Sequence, residues 1–150
     1  MAVRTGPSGP FVEEVNVTPD MELKLPAHAD NVAVVRHAVA GLADVVSIDE
    51  LTLADIKLAI TEACTNVIIH AYDAGEQGTL EVEASIADDV LAVLIRDRGI
   101  GIAPRTGSPG LGLGLPLIAT LADSLELGSD DAECTEVRMT FRLDQSREAA

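Results

Sequence analysis

The sequence predicts an α+β two-layer sandwich, in which a mixed, largely antiparallel sheet carries its helices on one face. Several segments alternate apolar and polar residues with period two, as half-buried strands do, and others repeat apolar residues every three and four positions, as amphipathic helices do. The alternation in the terminal strands leaves one sheet face polar, so helices should cover only the other face. With 150 residues and 47% hydrophobic residues, the chain is long enough to bury one core.

The strands are predicted from their alternation and from the turn residues between them. They are residues 11–17, 21–25, 79–86, 90–95 and 137–143. Ala87-Asp88-Asp89 separates the third segment from the fourth, which predicts a hairpin at that point.

Three helices are predicted from their apolar faces, over residues 31–42, 52–72 and 113–125. Asp30 is expected to cap the first helix. Thr52 is followed three residues later by Asp55, which resembles the capping box that opens a helix. Pro116 falls in the first turn of the third helix, where proline is tolerated.

Composition narrows the class of protein. The net charge of −15 argues against a nucleic-acid backbone as partner, because phosphates are bound by clustered lysine and arginine. No apolar run approaches the ~20 residues of a membrane span, and no signal-peptide pattern opens the chain. The two cysteines are expected to be free thiols, so a cytoplasmic protein is predicted.

One domain is expected over residues 11–144, with tails at 1–10 and 145–150.

The second helix carries a polar pair at its core edge. Glu62 and Asn66 are four residues apart and therefore share one helix face. A carboxylate can accept a proton from an attacking hydroxyl, and an amide oxygen is a suitable Mg²⁺ ligand. The alternative interpretation is a pair of solvated polar residues on the helix flank.

Asp97 follows an apolar strand and shares the face of its buried residues by period-two counting. A buried carboxylate is costly without a hydrogen-bond donor, and the exocyclic amine of adenine is one such donor. Gly99 and Gly101 suit close approach of a ligand. The alternative is an Asx turn at a strand end.

Three glycines open the third helix at alternate positions, namely Gly110, Gly112 and Gly114. They are either a simple loop or a place where backbone N–H groups face phosphate oxygens, helped by Mg²⁺ and by Arg98 or Arg105. The chain has no Gly-Lys dipeptide, which excludes a P-loop, and the glycine spacing excludes the Rossmann fingerprint.

In this order the three segments resemble the N, G1 and G2 boxes of the ATPase fold shared by DNA gyrase, heat-shock chaperones, histidine kinases and mismatch-repair proteins. Glu62-Ala-Cys-Thr-Asn66 running into His70-Ala71-Tyr72 is similar to the bacterial anti-sigma factor serine/threonine-protein kinases, and so is the stretch 26–36 with its Arg36. The resemblance covers about residues 17–143 and makes 11–144 a histidine kinase-like ATPase domain.

The resemblance implies roles for individual residues. Glu62 would be the general base, Asn66 the Mg²⁺ ligand and Asp97 the adenine anchor, with Thr135 assisting at the adenine. The glycines would lie beneath the base (Gly99, Gly101) or form the lid and phosphate contacts (Gly110, Gly112, Gly114). One departure from the family pattern is Cys134, which stands before Thr135 where glycine is usual.

The implied activity is transfer of the ATP γ-phosphoryl group to a serine or threonine of an anti-anti-sigma protein. Members of the family also sequester a sigma factor, commonly as homodimers, and Arg36 matches a partner-facing position. Two alternatives stay open. One is a nucleotide-gated binding protein without turnover; the other is a stand-alone histidine-kinase ATPase domain, which would need a phosphoacceptor histidine on a dimerisation helix.

Overall fold

The computed structural model describes residues 18–71, 78–98, 111–129 and 135–143. Side chains are described throughout these ranges except at 70, 71, 111–113 and 129. The predicted strand at 11–17 lies outside the described residues, as do the tails. No helix in the described part is long and apolar enough to cross a membrane.

Five strands and three helices make up the described chain. In order they are β1 (Met21–Pro26), α1 (Asp30–Asp44), α2 (Glu50–Asn66), a π-helical turn (Val67–Ala71), β2 (Thr79–Ala87), β3 (Val90–Asp97), α3 (Leu111–Leu121), β4 (Ser124–Ser129) and β5 (Thr135–Arg142). The strands form one sheet in the order β1-β2-β3-β5-β4. All four neighbouring pairs are antiparallel, so the described sheet is purely antiparallel rather than mixed.

The hairpin of β2 and β3 forms as predicted. Asp88 and Asp89 both have positive φ, at 52° and 61°, which is the left-handed pair of a type I′ turn. The backbone N–H of Leu143 donates to the carbonyl of Asp89 at 2.7 Å, which ties the end of β5 to this turn.

The helices pack as a layer against one face of the sheet. α2 contacts α1 on one side and α3 on the other, while α1 touches β1 and β2, and α2 touches β5. The core between the layers is almost entirely aliphatic, and Phe141 is its one aromatic side chain among the described residues. Its largest fully buried side chains are Phe141, Ile56, Ile60, Leu80, Leu91, Ile95, Ile118 and Met139.

The other face of the sheet is polar, which confirms the prediction from strand alternation. Arg96 lies at its centre, with carboxylate oxygens of Glu81, Glu83 and Glu136 at 3.5, 3.7 and 2.7 Å. Arg98 donates from Nε to Glu81 at 2.8 Å. Facing residues on adjacent strands thus pair opposite charges where the sheet meets water.

Both predicted helix caps are wrong in detail. Asp49, not Thr52, is the N-cap of α2, and its carboxylate accepts from Thr52 N at 2.7 Å and Thr52 Oγ1 at 3.1 Å. The N-cap of α1 is Ala29, without a side-chain cap bond, and Asp30 is the first helical residue. An N-cap residue typically has an extended backbone, from which its side chain reaches back to the first turn. Asp30 lies inside the helix instead, and even Ala29 before it has helical dihedral angles.

The third helix ends four residues earlier than predicted, and the sequence reasoning missed β4. Directly after α3, Asp123 is tied to β5: its N–H donates to Thr140 O at 2.8 Å and its carboxylate accepts from Arg142 N at 2.6 Å. These bonds redirect the chain, so that Leu125 and Leu127 belong to a strand rather than to a longer helix.

Candidate nucleotide-binding site

Glu62 and Asn66 lie in the last turns of α2, as the helical spacing predicts. Glu62 is half-buried, whereas Asn66 is 6% exposed and is the final residue of the α-helix. The chain then continues as the π-helical turn Val67–Ala71. Wider turns of this kind occur at the C-termini of α-helices, and here the turn follows directly after Asn66.

Gly114, in the glycine motif that opens α3, packs against Asn66 at the end of α2. A Cβ built on Gly114 would lie 2.6 Å from Nδ2 and 2.9 Å from Oδ1 of Asn66, closer than real Cβ contacts. The first turn of α3 therefore reaches the Asn66 amide only because position 114 has no side chain. Among the described residues, Nδ2 of Asn66 has no hydrogen-bond partner.

Asp97 is the last residue of β3 and is fully buried on the helix-facing side. It lies opposite Thr135, the first residue of β5, in the register of the two strands. Residues directly opposite in an antiparallel pair have Cβ atoms about 5 Å apart on the same face. The two residues for which the family resemblance implies contact with adenine are therefore side by side.

At the end of the sheet where β3 finishes, the residues that face one another across the strands are of a different kind from those further along the strands. Asp97 and Thr135 are flanked by Leu80 of β2 and Ser129 of β4. The next row on the same face consists of apolar residues, namely Leu23, Val82, Ile95, Val137 and Leu127. A polar pair at the margin of an aliphatic face suits a flat, mostly apolar ring that carries one hydrogen-bonding edge.

Several predicted site residues lie outside the described residues, namely Gly99, Gly101, Gly110, Arg105 and Cys134. Gly112 lies in the first turn of α3, immediately before the residues whose packing is described. The backbone of His70 belongs to the π-helical turn. The structure thus brings together Asn66 and Gly114, and separately Asp97 and Thr135.

A divalent cation at this site would depend on few protein ligands. The described residues contain no cluster of three histidine, cysteine or acidic side chains that could hold a metal ion. Asn66 is a buried amide at the end of a helix, which suits one ligand to Mg²⁺ when nucleotide phosphates and waters provide the others. The residues present fit a metal that arrives with its nucleotide.

Cys64 lies within the same motif but faces the core. It is a free cysteine, and burial raises the pKa of its thiol to about 12. A thiol that stays protonated is a poor nucleophile and a poor ligand, so Cys64 acts here as a small apolar side chain.

Sequence reasoning missed two contacts. One is the close packing of Gly114 on Asn66, for which the only sequence signal was the glycine itself. The other joins α1 to α2: Arg36 Nη1 donates to Thr61 Oγ1 at 3.5 Å, and Thr61 Oγ1 in turn donates to Lys57 O at 2.8 Å. Arg36 is half-buried and reaches Thr61, the residue before Glu62.

Comparison with known proteins agrees with this geometry. The family model of the histidine kinase-like ATPase domain matches residues 25–141. The serine-protein kinase RsbW of Halalkalibacterium halodurans is 35% identical over 125 residues, which cover 73% of this chain and 76% of that relative. The anti-sigma F factor of Clostridium perfringens is 37% identical over 108 residues, which cover 65% of this chain and 76% of that relative.

Solved structures show the same fold. The structure of the RsbU and RsbW domains of a Mycobacterium tuberculosis protein superposes with a TM-score of 0.64 at 25% identity, over 83% of this chain and 33% of the other. A histidine kinase domain from Erythrobacter litoralis superposes with a TM-score of 0.55 at 18% identity, covering 82% of this chain and 64% of the other, a likeness of fold alone.

The fold and the site define a nucleotide-binding domain of the histidine kinase-like class, and the chain belongs to the histidine kinase-like ATPase family. Within that family its relatives are serine-protein kinases and anti-sigma factors, as the N-box sequence predicted.

Proposed function

We propose that this protein is an ATP-dependent serine/threonine-protein kinase that acts as an anti-sigma factor. The observation that carries the proposal is the packing of Asn66 on Gly114, which joins the motif holding the proposed base to the glycine motif at the start of α3. Its relatives at 35% and 37% identity are named for a serine-protein kinase and an anti-sigma factor. The proposal keeps the cytoplasmic location that the sequence predicts.

In the proposed reaction, the hydroxyl oxygen of a serine or threonine attacks the γ-phosphorus of ATP, and ADP leaves. Glu62 accepts the hydroxyl proton, and its half-buried position on α2 leaves it open to an incoming protein segment. Asn66, one helical turn further on, would hold Mg²⁺, which when bound offsets the phosphate charge. Asp97 and Thr135 would hold the adenine, and the positioning of these groups supplies most of the catalysis.

The acceptor is proposed to be an anti-anti-sigma protein, and the sequestered partner a sigma factor. Two exposed apolar residues lie on either side of Glu62 along the chain: Leu58 one turn before it in α2, and Ile69 in the π-helical turn that follows α2. Exposed apolar side chains beside a catalytic carboxylate suit a protein substrate better than a small molecule. A homodimer and a partner-facing role for Arg36 also belong to this proposal.

The alternative of a nucleotide-gated binding protein shares the ATP site but needs no base at position 62. A stand-alone histidine-kinase domain would need a phosphoacceptor histidine. His28 lies two residues before α1, His37 lies within α1 and His70 lies in the π-helical turn, so none of them is placed on a helix hairpin upstream of the domain.

The test separates catalysis from binding with two variants. Glu62→Ala should still bind Mg-ATP and a sigma factor, but should lose phosphoryl transfer to the anti-anti-sigma protein by at least ~10²–10⁴-fold, the usual worth of a positioned acid–base group. Asn66→Ala should weaken Mg²⁺-dependent nucleotide binding as well as transfer. γ-labelled ATP assays beside calorimetric nucleotide titrations measure both effects.

The candidate partners are the products of neighbouring genes, each mixed with the protein and Mg-ATP. Wild-type transfer rates in Glu62→Ala would remove Glu62 from the mechanism. If the unmodified protein transfers phosphate to none of them yet captures a sigma factor in a nucleotide-dependent way, the binding protein without turnover is the correct function.

A further inference from the structure

Gly114 is tightly packed, unlike the other helical glycine with described surroundings. A Cβ on Gly41, in the middle of α1, would meet no atom within 4 Å. A Cβ on Gly114 would meet three atoms of one side chain, namely Nδ2, Oδ1 and Cγ of Asn66, at 2.6, 2.9 and 3.1 Å. The space that glycine leaves at 114 is therefore filled by the Asn66 amide.

The Asn66 amide needs such a restraint if it is to act as a ligand. The terminal torsion of asparagine is broad and roughly two-fold, so the amide turns easily unless hydrogen bonds or packing hold it. Among the described residues no hydrogen bond is made by Nδ2 of Asn66, although the residue is 6% exposed. Packing against α3 is then what limits the rotation of the amide.

We propose that Gly114 is a positioning residue, which holds the Asn66 amide in the orientation that binds the nucleotide's divalent cation. The inference rests on the proposed function, and it gives Gly114 a role other than the direct phosphate contact that the resemblance implied. A side chain at 114 displaces the tip of Asn66 rather than backbone, because the three nearest atoms belong to that side chain. The amide oxygen then no longer faces the metal.

The decisive variants are Gly114→Ala, Asn66→Ala and the double variant, with Gly41→Ala as the matched control in open space. Fluorescent ATP analogue binding is titrated with Mg²⁺ for each, and again in EDTA. Gly114→Ala should need about tenfold more Mg²⁺ for half-maximal binding. Mutation of a residue that orients a metal ligand typically weakens metal affinity by about this factor. In the Asn66→Ala background the same substitution should change the Mg²⁺ requirement by less than twofold.

Thermal unfolding without nucleotide gives a second readout that needs no activity. Gly114→Ala should lower the melting temperature by overpacking, and the double variant should regain that loss because the obstructing amide is gone. Gly41→Ala should not lower it. If Gly114→Ala fails to fold, the double variant decides, since the proposal requires it to fold.

Two results would overturn the proposal. One is a Gly114→Ala variant that weakens nucleotide binding equally in Mg²⁺ and EDTA in both backgrounds, which would place Gly114 at the phosphates. The other is a double variant whose melting temperature falls by the sum of the decreases in the two single variants. An Asn66→Ala variant with an unchanged Mg²⁺ requirement would instead remove the metal role of Asn66 from the proposed function, while the unfolding cycle still decides whether Gly114 packs against it as described.

Discussion

Asp97 is an acidic residue on the otherwise apolar, helix-facing side of β3. It is fully buried at the end of β3 and continues the face formed by Leu91, Val93 and Ile95. Removing a carboxylate from water costs several kcal/mol unless hydrogen-bond donors or an opposite charge compensate it. Recognition of a ligand explains the acid at this position better than stability does.

Asp97→Asn should therefore weaken Mg-ATP binding by ~1.5–3 kcal/mol, the usual worth of a hydrogen bond to a charged group. The free energy of unfolding without nucleotide should change less than the free energy of binding, because asparagine keeps the side-chain volume and one hydrogen-bonding oxygen. Calorimetry and thermal unfolding measure the two effects. Asp123→Asn is the matched control, since that carboxylate accepts a backbone bond from Arg142 after α3 and should leave ATP affinity unchanged.

Unchanged ATP affinity in Asp97→Asn would contradict the adenine-anchor role. Equal losses in Asp97→Asn and Asp123→Asn would show that the effect is a general weakening of the sheet rather than a loss at the adenine.

Among the elements, α2 carries most of the site and begins at a well-formed cap. Asp49 accepts two hydrogen bonds from Thr52, and the helix then runs without interruption to Asn66. A secure first turn fixes the axial position of Glu62 and Asn66, which lie at the far end of the same helix. The cap is thus part of the support of the site, although it is remote from it.

Asp49→Ala should lower the free energy of unfolding by about 1 kcal/mol, which is typical for loss of an N-cap side chain. Gly41→Ala should act in the opposite direction by ~0.5–1 kcal/mol, because its Cβ meets open space in an exposed helical position. Urea denaturation of both variants measures the changes. A stable Asp49→Ala protein would show that the backbone N–H groups of the first turn are satisfied by water instead.

Long elements with one clear period were predictable from the sequence, and short or redirected ones were not. The hairpin of β2 and β3 follows from its alternation and turn, and α2 from its apolar face. β4 was missed because only Leu125 and Leu127 alternate, and because the bonds that turn the chain at Asp123 come from β5. Such tertiary bonds leave no local pattern in the sequence.

For the site, residue types were predictable but contacts were not. The carboxylates and the amide could be selected as candidates from their chemistry alone. Period-two counting along the strand predicted that Asp97 lies on the buried face, and the structure confirms this. The packing of Gly114 on Asn66 joins two helices, and a glycine pattern alone does not distinguish a phosphate contact from a close helix crossing.

On the scale of the whole molecule, the outer sheet face links stability to pH. Burial alone would raise the pKa of Glu81, but the hydrogen bond and charge of Arg98, with the charges of Arg96 and Lys24, outweigh it. The pKa of Glu81 is therefore held below its ordinary value of 4.5. A carboxyl with a lowered folded pKa stabilises the fold above the unfolded pKa and loses that contribution as the pH falls through the folded value.

Glu81→Gln should accordingly be less stable than the wild type at neutral pH. The difference between the two free energies of unfolding should hold down to about pH 4.5, the ordinary pKa, and shrink below it. Denaturation at a series of pH values between 7 and 3 measures this. Glu22→Gln, on the exposed face of edge strand β1, is the matched control for removal of a surface carboxylate. A gap that persists at pH 3 would assign the effect to packing rather than to charge.

The row that ends the sheet has a further consequence for how the chain can change. β3 leaves the sheet at Asp97, β4 leaves it at Ser129 and β5 enters it at Thr135, all in one row. Asp97 precedes residues 99–110, and Ser129 and Thr135 flank residues 130–134, so a change of length in either range alters no paired residue of the described sheet. Closing a longer loop costs little extra entropy, about 0.6 kcal/mol per doubling. We therefore expect insertions and deletions between the strands at this edge to leave the register of the sheet unchanged.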